Sequence, residues 1–373
     1  MSDQIESRVA FDELLDTLRE AATRYAGDEW GITGPDDVAG ALRALTHLLE
    51  GGLVGHFEDS PASPVFRQIV TSTRKGMGDN ADAIYFDASI SPQYSYRVRG
   101  RMAGAVYVSF TLEGGSHDGG FGTRLVGVLN DSDFDVDPDG NFELFFGGEP
   151  RARNWIALAP DAVRVTTRHY WEQERSPSIP PCPDVALDIE VLDELPPPPR
   201  PDDATVAAGL RRVTNYVRSR TLEQNKPGAA APVAFVSREP HVFPAPVTPG
   251  DHPLAAADAA YSMAPYVLGP DEALVMTGRW PECRCANVSL WNRHLQTYDF
   301  VHRQVSLNRA QTTLEPDGSF RIVIAHADPG VPNWIDTEGR PFGMVFWRFF
   351  LPEGDIVTPH AEVVRLSEFV TPA

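Results

Sequence analysis

Two stretches of the chain carry the same pattern. Residues 137–171 read DPDGNFELFFGGEPRARNWIALAPDAVRVTTRHYW, and residues 315–351 read EPDGSFRIVIAHADPGVPNWIDTEGRPFGMVFWRFFL. Pro138-Asp139-Gly140 in the first stretch matches Pro316-Asp317-Gly318 in the second, 178 residues later. A pattern that recurs at a long and nearly constant interval indicates a duplicated structural unit.

Further matches extend the repeat. Asn154-Trp155 matches Asn333-Trp334 at an interval of 179 residues, and Arg168 matches Arg348 at 180, so two one-residue slips explain the drift. The upstream matches are Gly100-Arg101 with Gly278-Arg279, and Val108-Ser109-Phe110 with Val288-Ser289-Leu290. Turn residues between β-prone runs predict antiparallel hairpins packed as sandwiches. Because ligand sites often lie between domains, the duplication also bears on function.

The rest of the chain supplies helices and a linker. Apolar residues recur at helical spacing in 11–25 and 38–49, and Gly51-Gly52 is the expected end of the second helix. A proline linker ends at Asp202-Asp203, where a third helix is expected to begin and run to about Leu222. We expect the first two helices to pack on the first β unit.

These patterns predict a mainly β fold with accessory helices, built from two duplicated antiparallel β-sandwich or jelly-roll-like units with helices before and between them. The Pro/Ala/Gly-rich part of the connection is expected to wrap over the surface or cover a cavity. The predicted segments are an N-terminal helical segment (1–60), a first β-rich unit (61–195), a linker with a helix and a wrapping segment (196–260), and a second β-rich unit (261–373).

Composition restricts the function classes. The chain has 373 residues, 42% of them hydrophobic, and a formal net charge of −20. Such an acidic protein is a poor ligand for nucleic acid or for anionic membranes, because phosphate binding needs a clustered positive surface. Neither a signal sequence nor an apolar run long enough to span a bilayer is visible. We expect a cytoplasmic protein that binds a small-molecule substrate and can form a homo-oligomer.

Cofactor signatures are missing from the sequence. The three cysteines, Cys182, Cys283 and Cys285, fit reduced thiols, and the ten histidines are scattered without metal-ligand spacing. No dinucleotide fingerprint, P-loop, nucleophile elbow or zinc-protease motif occurs. The sequence therefore predicts a protein without a cofactor or a bound metal.

The densest polar cluster is KGMGDNADAIYFDASISPQYSYRVRG, residues 75–100. Carboxyl, phenol, amide and guanidinium groups close together can supply an acid, a base and oxyanion donors. The candidate catalytic residues here are Asp82, Tyr85 and Asp87, and the candidate substrate-binding residues are Asn80, Tyr96 and Arg97. The alternative is a loop whose Asp and Asn make turn hydrogen bonds and whose tyrosines pack at a core edge.

Three further residues outside this cluster are candidates. His169 is a possible acid or base in the first unit only, because the second unit has Phe349 at the matching place. The alternative for His169 is an outward-pointing strand residue. His117 lies in a glycine-rich loop that can approach a ligand closely. Arg168 is a candidate for substrate binding, although a structural salt bridge is the favoured interpretation of Arg168 and Arg348.

Several of these motifs carry a family resemblance. GDNADAIYFDASI, YSYRVRG, DPDGNFEL, NWIAL and TTRHYW together resemble the bacterial domain-of-unknown-function families 1254 and 1214. The resemblance assigns the N-x-D-x-x-Y motif to Asn80, Asp82 and Tyr85, and it transfers no activity. The second unit shows no obvious N-x-D-x-x-Y equivalent, so we expect a single site centred on the first unit.

Three functions are compatible with the sequence. The favoured one is a cofactor-independent acid–base enzyme, of hydro-lyase, isomerase or hydrolase type, acting on a small and largely uncharged organic substrate. The second is a glycan-active or glycan-binding β-sandwich protein, since exposed aromatic residues and paired carboxylates suit sugars. The third is a non-catalytic ligand carrier. The Asn-Trp pairs are expected to be structural in all three, because they recur in both units.

Overall fold

The structure is a computed structural model that describes residues 5–224, 233–250 and 255–369. Helices α1 (Glu6–Arg24) and α2 (Pro35–His56) precede the first β unit, and α3 (Asp203–Arg220) lies between the two units. The Asp202 side chain caps α3 by accepting a hydrogen bond from the Thr205 amide.

The end predicted for α2 was wrong, because the helix continues beyond Gly51-Gly52 to His56. A Cβ added at Gly51 would lie 3.1 Å from the Tyr216 hydroxyl of α3. These glycines therefore permit a close contact between helices instead of ending one. The packing of α1 also differs from expectation, since its buried face contacts α3 through a cluster that contains Leu14, Leu210 and Val213.

The first unit consists of two sheets with a core between them. One sheet has the order β1-β2-β8-β4-β5 and the other β7-β6-β3-β9. The strands are β1 (Arg67–Gln68), β2 (Ala83–Ser89), β3 (Tyr96–Arg101), β4 (Tyr107–Gly114), β5 (Arg124–Asn130), β6 (Asn141–Phe146), β7 (Trp155–Ile156), β8 (Ala162–Tyr170) and β9 (Asp188–Val191).

The second unit repeats this arrangement. Its sheets have the orders β10-β16-β12-β13 and β15-β14-β11-β17, which are the first unit's orders without β1. The predicted duplication of a β-sandwich is confirmed. The strands are β10 (Ala259–Val267), β11 (Glu272–Gly278), β12 (Cys285–Trp291), β13 (Ser306–Asn308), β14 (Phe320–Ala325), β15 (Trp334–Asp336), β16 (Phe342–Phe350) and β17 (His360–Arg365).

The Asn-Trp pairs have the same structural role in both units. Asn154 and Asn333 have φ angles of 56° and 59°, in the left-handed region. Each amide nitrogen donates to a strand carbonyl, that of Glu143 at 2.9 Å and that of Arg321 at 3.0 Å. The following tryptophan opens β7 or β15, and these strands run parallel to β6 and β14. The sandwiches are thus antiparallel except at these two pairs.

We expect Asn154→Ala and Asn333→Ala to lower the free energy of unfolding by similar amounts, about 1–3 kcal/mol each. Asn154→Ala removes two side-chain hydrogen bonds and Asn333→Ala removes three, and alanine is strained in the left-handed region. Chemical denaturation of both variants measures this. Asn154→Gly and Asn333→Gly should lower the free energy of unfolding by less, because glycine adopts a positive φ angle without strain. A loss at one site only would contradict the equivalence of the pairs.

The two units pack through the outer faces of the sheets β1-β2-β8-β4-β5 and β10-β16-β12-β13. Aromatic residues of both units form one buried cluster there, with ring centroids of Tyr170 and Phe350 4.3 Å apart. Its aromatic members include Tyr85, Tyr107, Tyr170, Tyr261, Trp291, Phe346 and Phe350. The interface therefore has a buried hydrophobic cluster of its own, and it brings loops of one unit against strands of the other.

The expected cytoplasmic location stays a prediction. Among the helices described, none combines the length and the apolar composition needed to cross a bilayer. The wrapping segment predicted for 226–254 is described only over 233–250, where Val236 and Val247 form isolated bridges to β10.

Candidate functional site

Asp82 lies in the interface between the two units, just before β2. Asp82 is only 3% exposed. Both of its carboxyl oxygens accept hydrogen bonds from the second unit. The Asn287 amide donates to Oδ2 at 2.6 Å, and the Asn308 amide donates to Oδ1 at 2.9 Å. Asn80 supports the loop by accepting from the Asp82 backbone amide at 2.8 Å. A first-unit carboxyl is thus held by two second-unit amides.

Burial raises the pKa of the Asp82 carboxyl to about 6, and the hydrogen bonds from Asn287 and Asn308 limit the increase. In the described chain, no cation lies within ion-pairing distance of this carboxyl. A carboxyl with a pKa near neutrality can both accept and return a proton under ordinary cellular conditions. The Asp82 carboxyl therefore meets the pKa requirement for general acid–base chemistry.

A cleft of about 350 Å³ opens beside Asp82. The chain segment after β8 forms one wall, which includes Glu174 and Ser176. The second unit forms the other wall, which includes Phe300, His302 and Gln304. Asp82 also borders a smaller cavity of about 10 Å³, together with Asn287 and Tyr170. The residue therefore lines two cavities, of which the cleft is the larger. A cleft of this volume accommodates a small organic molecule.

The loop before Asp82 is anchored to the second unit by a buried pair. The Lys75 amine lies 4.0 Å from the Asp79 carboxylate, donates to the Thr297 hydroxyl at 3.0 Å and sits over the Phe300 ring. Burial lowers the pKa of Lys75 to about 8. Asp79 in turn accepts from the Thr297 backbone amide at 2.8 Å. These contacts fix the loop that carries Asn80 and Asp82.

Asp258 is the counterpart of Asp82 in the second unit. Tyr85 pairs with Arg168 in the first unit, and Tyr261 pairs with Arg348 in the second, so Tyr261 is the counterpart of Tyr85. Asp258 lies three residues before Tyr261, as Asp82 lies three residues before Tyr85. Asp258 accepts hydrogen bonds from the first unit, from Tyr107 at 2.7 Å and from Asn130 at 2.8 Å. Asn130 and Asn308 occupy matching places on β5 and β13. The two units thus exchange equivalent asparagine–aspartate contacts.

This symmetry corrects two expectations. The second unit does contain most of the N-x-D-x-x-Y motif, as Asp258 and Tyr261, with Ala256 in place of asparagine. The predicted match of Ser109 with Ser289 is also wrong by two residues. Ser109 lies opposite Arg168 in the ladder, and Asn287 lies opposite Arg348, so Ser109 corresponds to Asn287.

Tyr85 and Arg168 also lie in the interface, and neither borders the cleft beside Asp82. The Tyr85 hydroxyl is hydrogen-bonded to that of Tyr170 at 2.7 Å, and burial raises the pKa of Tyr85 to about 12. Arg168 donates to the Thr111 hydroxyl at 2.6 Å. The salt bridge favoured for Arg168 and Arg348 was wrong, since no carboxylate of the described residues lies within 4.0 Å of either guanidinium. Arg348 donates instead to the Gly78 carbonyl at 2.8 Å.

Asp87 lies elsewhere, near the opposite end of the same sheet face and beneath α2 and α3. Its carboxylate pairs with Arg164 at 3.0 Å, and Arg164 also contacts Asp59 at 2.5 Å. Burial raises the pKa of Asp87 to about 6. His117 lies beside the same ionic cluster, in the loop that the Asn215 side chain ties to α3 through the Asp118 carbonyl. The structure therefore does not bring these two residues to Asp82.

Three other candidates are also separated from Asp82. His169 is fully buried in the first unit's core next to Trp171, which contradicts an outward-pointing side chain, and burial lowers its pKa to about 3. Tyr96 is fully buried on β3, and its hydroxyl donates to the Pro61 carbonyl at 2.9 Å. Arg97 is part of a surface ion-pair network with Glu190. None of the three faces the cleft.

The sequence interpretation missed the residues that the second unit contributes to the site. Asn287 and Asn308 are more than 200 residues from Asp82 and carry no local motif. The Ala-Asp-Ala repeat at 81–83 and 257–259 was the available signal, and it would have located Asp258. Within the described residues, no group of three or more His, Cys, Asp or Glu side chains is arranged to hold a metal ion.

Comparison with known proteins supports the resemblance drawn from the motifs. Residues 286–354 match the family described as Protein of unknown function (DUF1214). The chain resembles the DUF1214 and DUF1254 families. The matched DUF1214 region contains Asn287, Asn308 and Arg348, so it includes the second unit's contribution to the site. No curated protein matches the chain.

Two solved structures share the fold. The crystal structure of an uncharacterized protein from Burkholderia cenocepacia has a TM-score of 0.83 and 25% identity, covering 99% of this chain and 100% of that one. The structure of a protein from Vibrio parahaemolyticus has a TM-score of 0.52 and 10% identity, covering 86% of this chain and 100% of that one. The second likeness concerns the fold alone.

Proposed function

We propose that the protein is a cofactor-independent acid–base enzyme, of hydro-lyase, isomerase or hydrolase type, that works in the cleft between the two units. Asp82 is the proton-transferring group. The observation that carries this proposal is a carboxyl only 3% exposed that borders the cleft and is held on both oxygens by neutral amides. The two neutral amides orient the carboxyl. A cation in an ion pair would instead hold the carboxyl in its ionised form.

A small, largely uncharged substrate fits this cleft best. Its lining mixes apolar side chains such as Phe300 with neutral polar ones such as Ser176 and Gln304, and its acidic and basic members, Asp82, Glu174, Arg175 and Arg303, balance in formal charge. The formal net charge of −20 disfavours the approach of anions. Polar side chains of this kind orient hydroxyl and carbonyl groups, while the apolar ones exclude water from the reacting carbon.

Glycan activity is a second candidate, supported by one specific feature. Two carboxyl residues, Asp82 and Glu174, border the same cleft, together with the aromatic ring of Phe300. Paired carboxyls and an aromatic platform are the equipment of glycoside hydrolysis. Hydrolysis of a glycosidic bond, with no proton exchange in simple carbonyl compounds, would favour this candidate over the first.

The test is a panel of small uncharged compounds incubated with the protein in D₂O and followed by proton NMR. The panel contains ketones, aldehydes, β-hydroxy and unsaturated carbonyl compounds, lactones and simple glycosides. We expect turnover or proton exchange for one carbonyl class with the natural protein and its loss in Asp82→Asn. Activity that survives in Asp82→Asn would contradict the proposal, and binding without any turnover or exchange would favour a ligand carrier.

A further inference from the structure

A histidine–aspartate pair borders the cleft beside Asp82. His302 lines the wall that the second unit contributes, and 76% of its side chain is exposed. Asp82 belongs to the first unit and lines the same cleft. The cleft measures about 350 Å³ and is open to solvent, so it has room and access for a small molecule. An imidazole and a carboxyl from different units thus border one cavity.

Asp299 holds the His302 ring in place. The Nδ1 atom of His302 lies 2.8 Å from Oδ2 of Asp299. A carboxylate only accepts hydrogen bonds, so Nδ1 is the donor and Nε2 is left for another partner. Within the described residues the ring makes no other hydrogen bond. A histidine with one nitrogen held by a carboxylate has the arrangement that acid–base catalysis uses.

The wall that carries this pair is fixed to the rest of the second unit. The Asp299 amide donates to a carboxylate oxygen of Glu338 at 2.6 Å. The Asp336 amide donates to the Gln304 carbonyl at 2.8 Å. These contacts lie before and after His302 in the sequence. A side chain on an anchored segment keeps its working position better than one on a free loop.

The pair is particular to the second unit. In the first unit, β4 and β5 stay paired as far as Arg124, so the same stretch of chain is a hairpin. In the second unit, β12 and β13 pair over three residues each, and the chain between them leaves the sheet and forms the wall of the cleft. Counted back from the matching residues Asn130 and Asn308, Arg124 takes the place of His302. The duplicated fold therefore does not itself require a histidine here.

We propose that His302 is the acid that protonates a leaving hydroxyl group while Asp82 removes a proton from the adjacent carbon, so that the cleft eliminates water from uncharged β-hydroxy carbonyl compounds. Elimination of water needs a base at one carbon and an acid at the oxygen on the next, and each unit supplies one of these groups to the cleft. Asp299 is the positioning residue of the acid. The inference rests on the proposed function and narrows it to the hydro-lyase type.

The reaction step balances without a co-reactant. The Asp82 carboxylate takes the proton from the carbon beside the carbonyl, and the C–H electron pair becomes the new C=C bond. The C–O bond of the β-hydroxyl group breaks with its electron pair on oxygen, and protonated His302 gives this oxygen the proton on Nε2, so that water leaves. Asp82 is then protonated and His302 is neutral. Proton exchange with the solvent restores both groups.

The test uses two probes in D₂O, followed by proton NMR. 4-Hydroxybutanone can lose water and form methyl vinyl ketone, whereas butanone has no hydroxyl group and reports proton exchange alone. We expect His302→Gln to lower the dehydration rate by a factor of about 10² or more, the effect of removing a general acid. Exchange in butanone should stay unchanged. The melting temperature should also stay unchanged, because exposed ion pairs contribute little to stability.

Three further variants separate catalysis from structure. In His302→Gly, added imidazole should restore part of the dehydration rate, which a merely structural histidine would not show. Asp299→Asn keeps an acceptor for the Val301 amide but loses the carboxylate, so it should lower kcat for dehydration with little change in KM. The matched control is His360→Gln, since His360 is an exposed histidine on β17 that does not border the cleft. This control should leave both reactions unchanged.

The outcomes separate this inference from the proposed function. Dehydration that survives in His302→Gln, or that is absent from the natural protein although butanone exchanges, would overturn the inference and leave the proposed function standing. Loss of butanone exchange in His302→Gln would also overturn it, because His302 would then not act at the leaving oxygen alone. Exchange that survives in Asp82→Asn would contradict the proposed function and the inference with it, as would the absence of both reactions from the natural protein.

Discussion

Replacing Asp82 by asparagine should lower turnover of the cleft's substrate by a factor of about 10² to 10⁴, the range expected when a general base is removed. Asparagine keeps the shape of the carboxyl but cannot accept a proton. The measurement is kcat/KM per folded molecule, because an amide at position 82 faces the donor amides of Asn287 and Asn308 and disturbs the interface. An effect on the melting temperature is therefore expected as well, contrary to what an exposed carboxyl would show.

Asp258→Asn is the matched control for this variant. Asp258 has the equivalent place in the second unit and bridges the units through Tyr107 and Asn130. It does not border the cleft described beside Asp82. We expect less than a tenfold change in kcat/KM for Asp258→Asn. Equal losses in the two variants would mean that both carboxyls act only by holding the interface together.

Arg164→Met should lower the free energy of unfolding by about 3–5 kcal/mol, since it leaves the buried Asp87 carboxylate and the partly buried Asp59 carboxylate without the cation that pairs with both. Chemical denaturation measures the loss. The double variant Arg164→Met with Asp87→Asn should recover part of it, because one of the unpaired charges is then gone. Little effect of Arg164→Met would contradict a structural role for Asp87.

Arg124→Met is the control for this second prediction. Arg124 pairs with Asp161 at 2.6 Å on the surface of the same unit, with about half of the arginine side chain exposed. Exposed ion pairs contribute about 0–1 kcal/mol because water screens them. A comparison of the two arginines isolates the effect of burial.

Much of the fold could be read from the sequence, because the repeated motifs are local. The Pro-Asp-Gly turns and the Asn-Trp pairs each depend on neighbouring residues, and Gly140 and Gly318 adopt φ angles of 83° and 81°. Such signals survive duplication and identify matching turns without knowledge of the tertiary structure. The three helices were found for the same reason, since their apolar spacing is a local property.

The candidate site could be predicted only in part. Asn80, Asp82 and Tyr85 were found through a motif, but their partners Asn287 and Asn308 come from the other unit and have no motif. Strand alternation would have separated His169 from Arg168, since adjacent strand residues point to opposite faces of a sheet. Asp87 and Asp82 belong to different sites because α2 and α3 cover the sheet at Asp87, whereas the second unit covers it at Asp82. Which element covers the sheet depends on tertiary packing.

The most direct test of the proposed mechanism is the pKa of the Asp82 carboxyl, measured by carbon NMR on labelled protein and assigned with Asp82→Asn. We predict a value of about 6, because burial disfavours the ionised form. Exposed Asp137, whose pKa is lowered by hydrogen bonds from Asn141, serves as the internal reference and should titrate well below it. Since the folded-state pKa of Asp82 is above the unfolded-state one, its contribution to stability is full below about pH 4 and is lost as the pH rises through about 6. An Asp82 that titrates near 4 or below would contradict its role as the proton-transferring group between the two units.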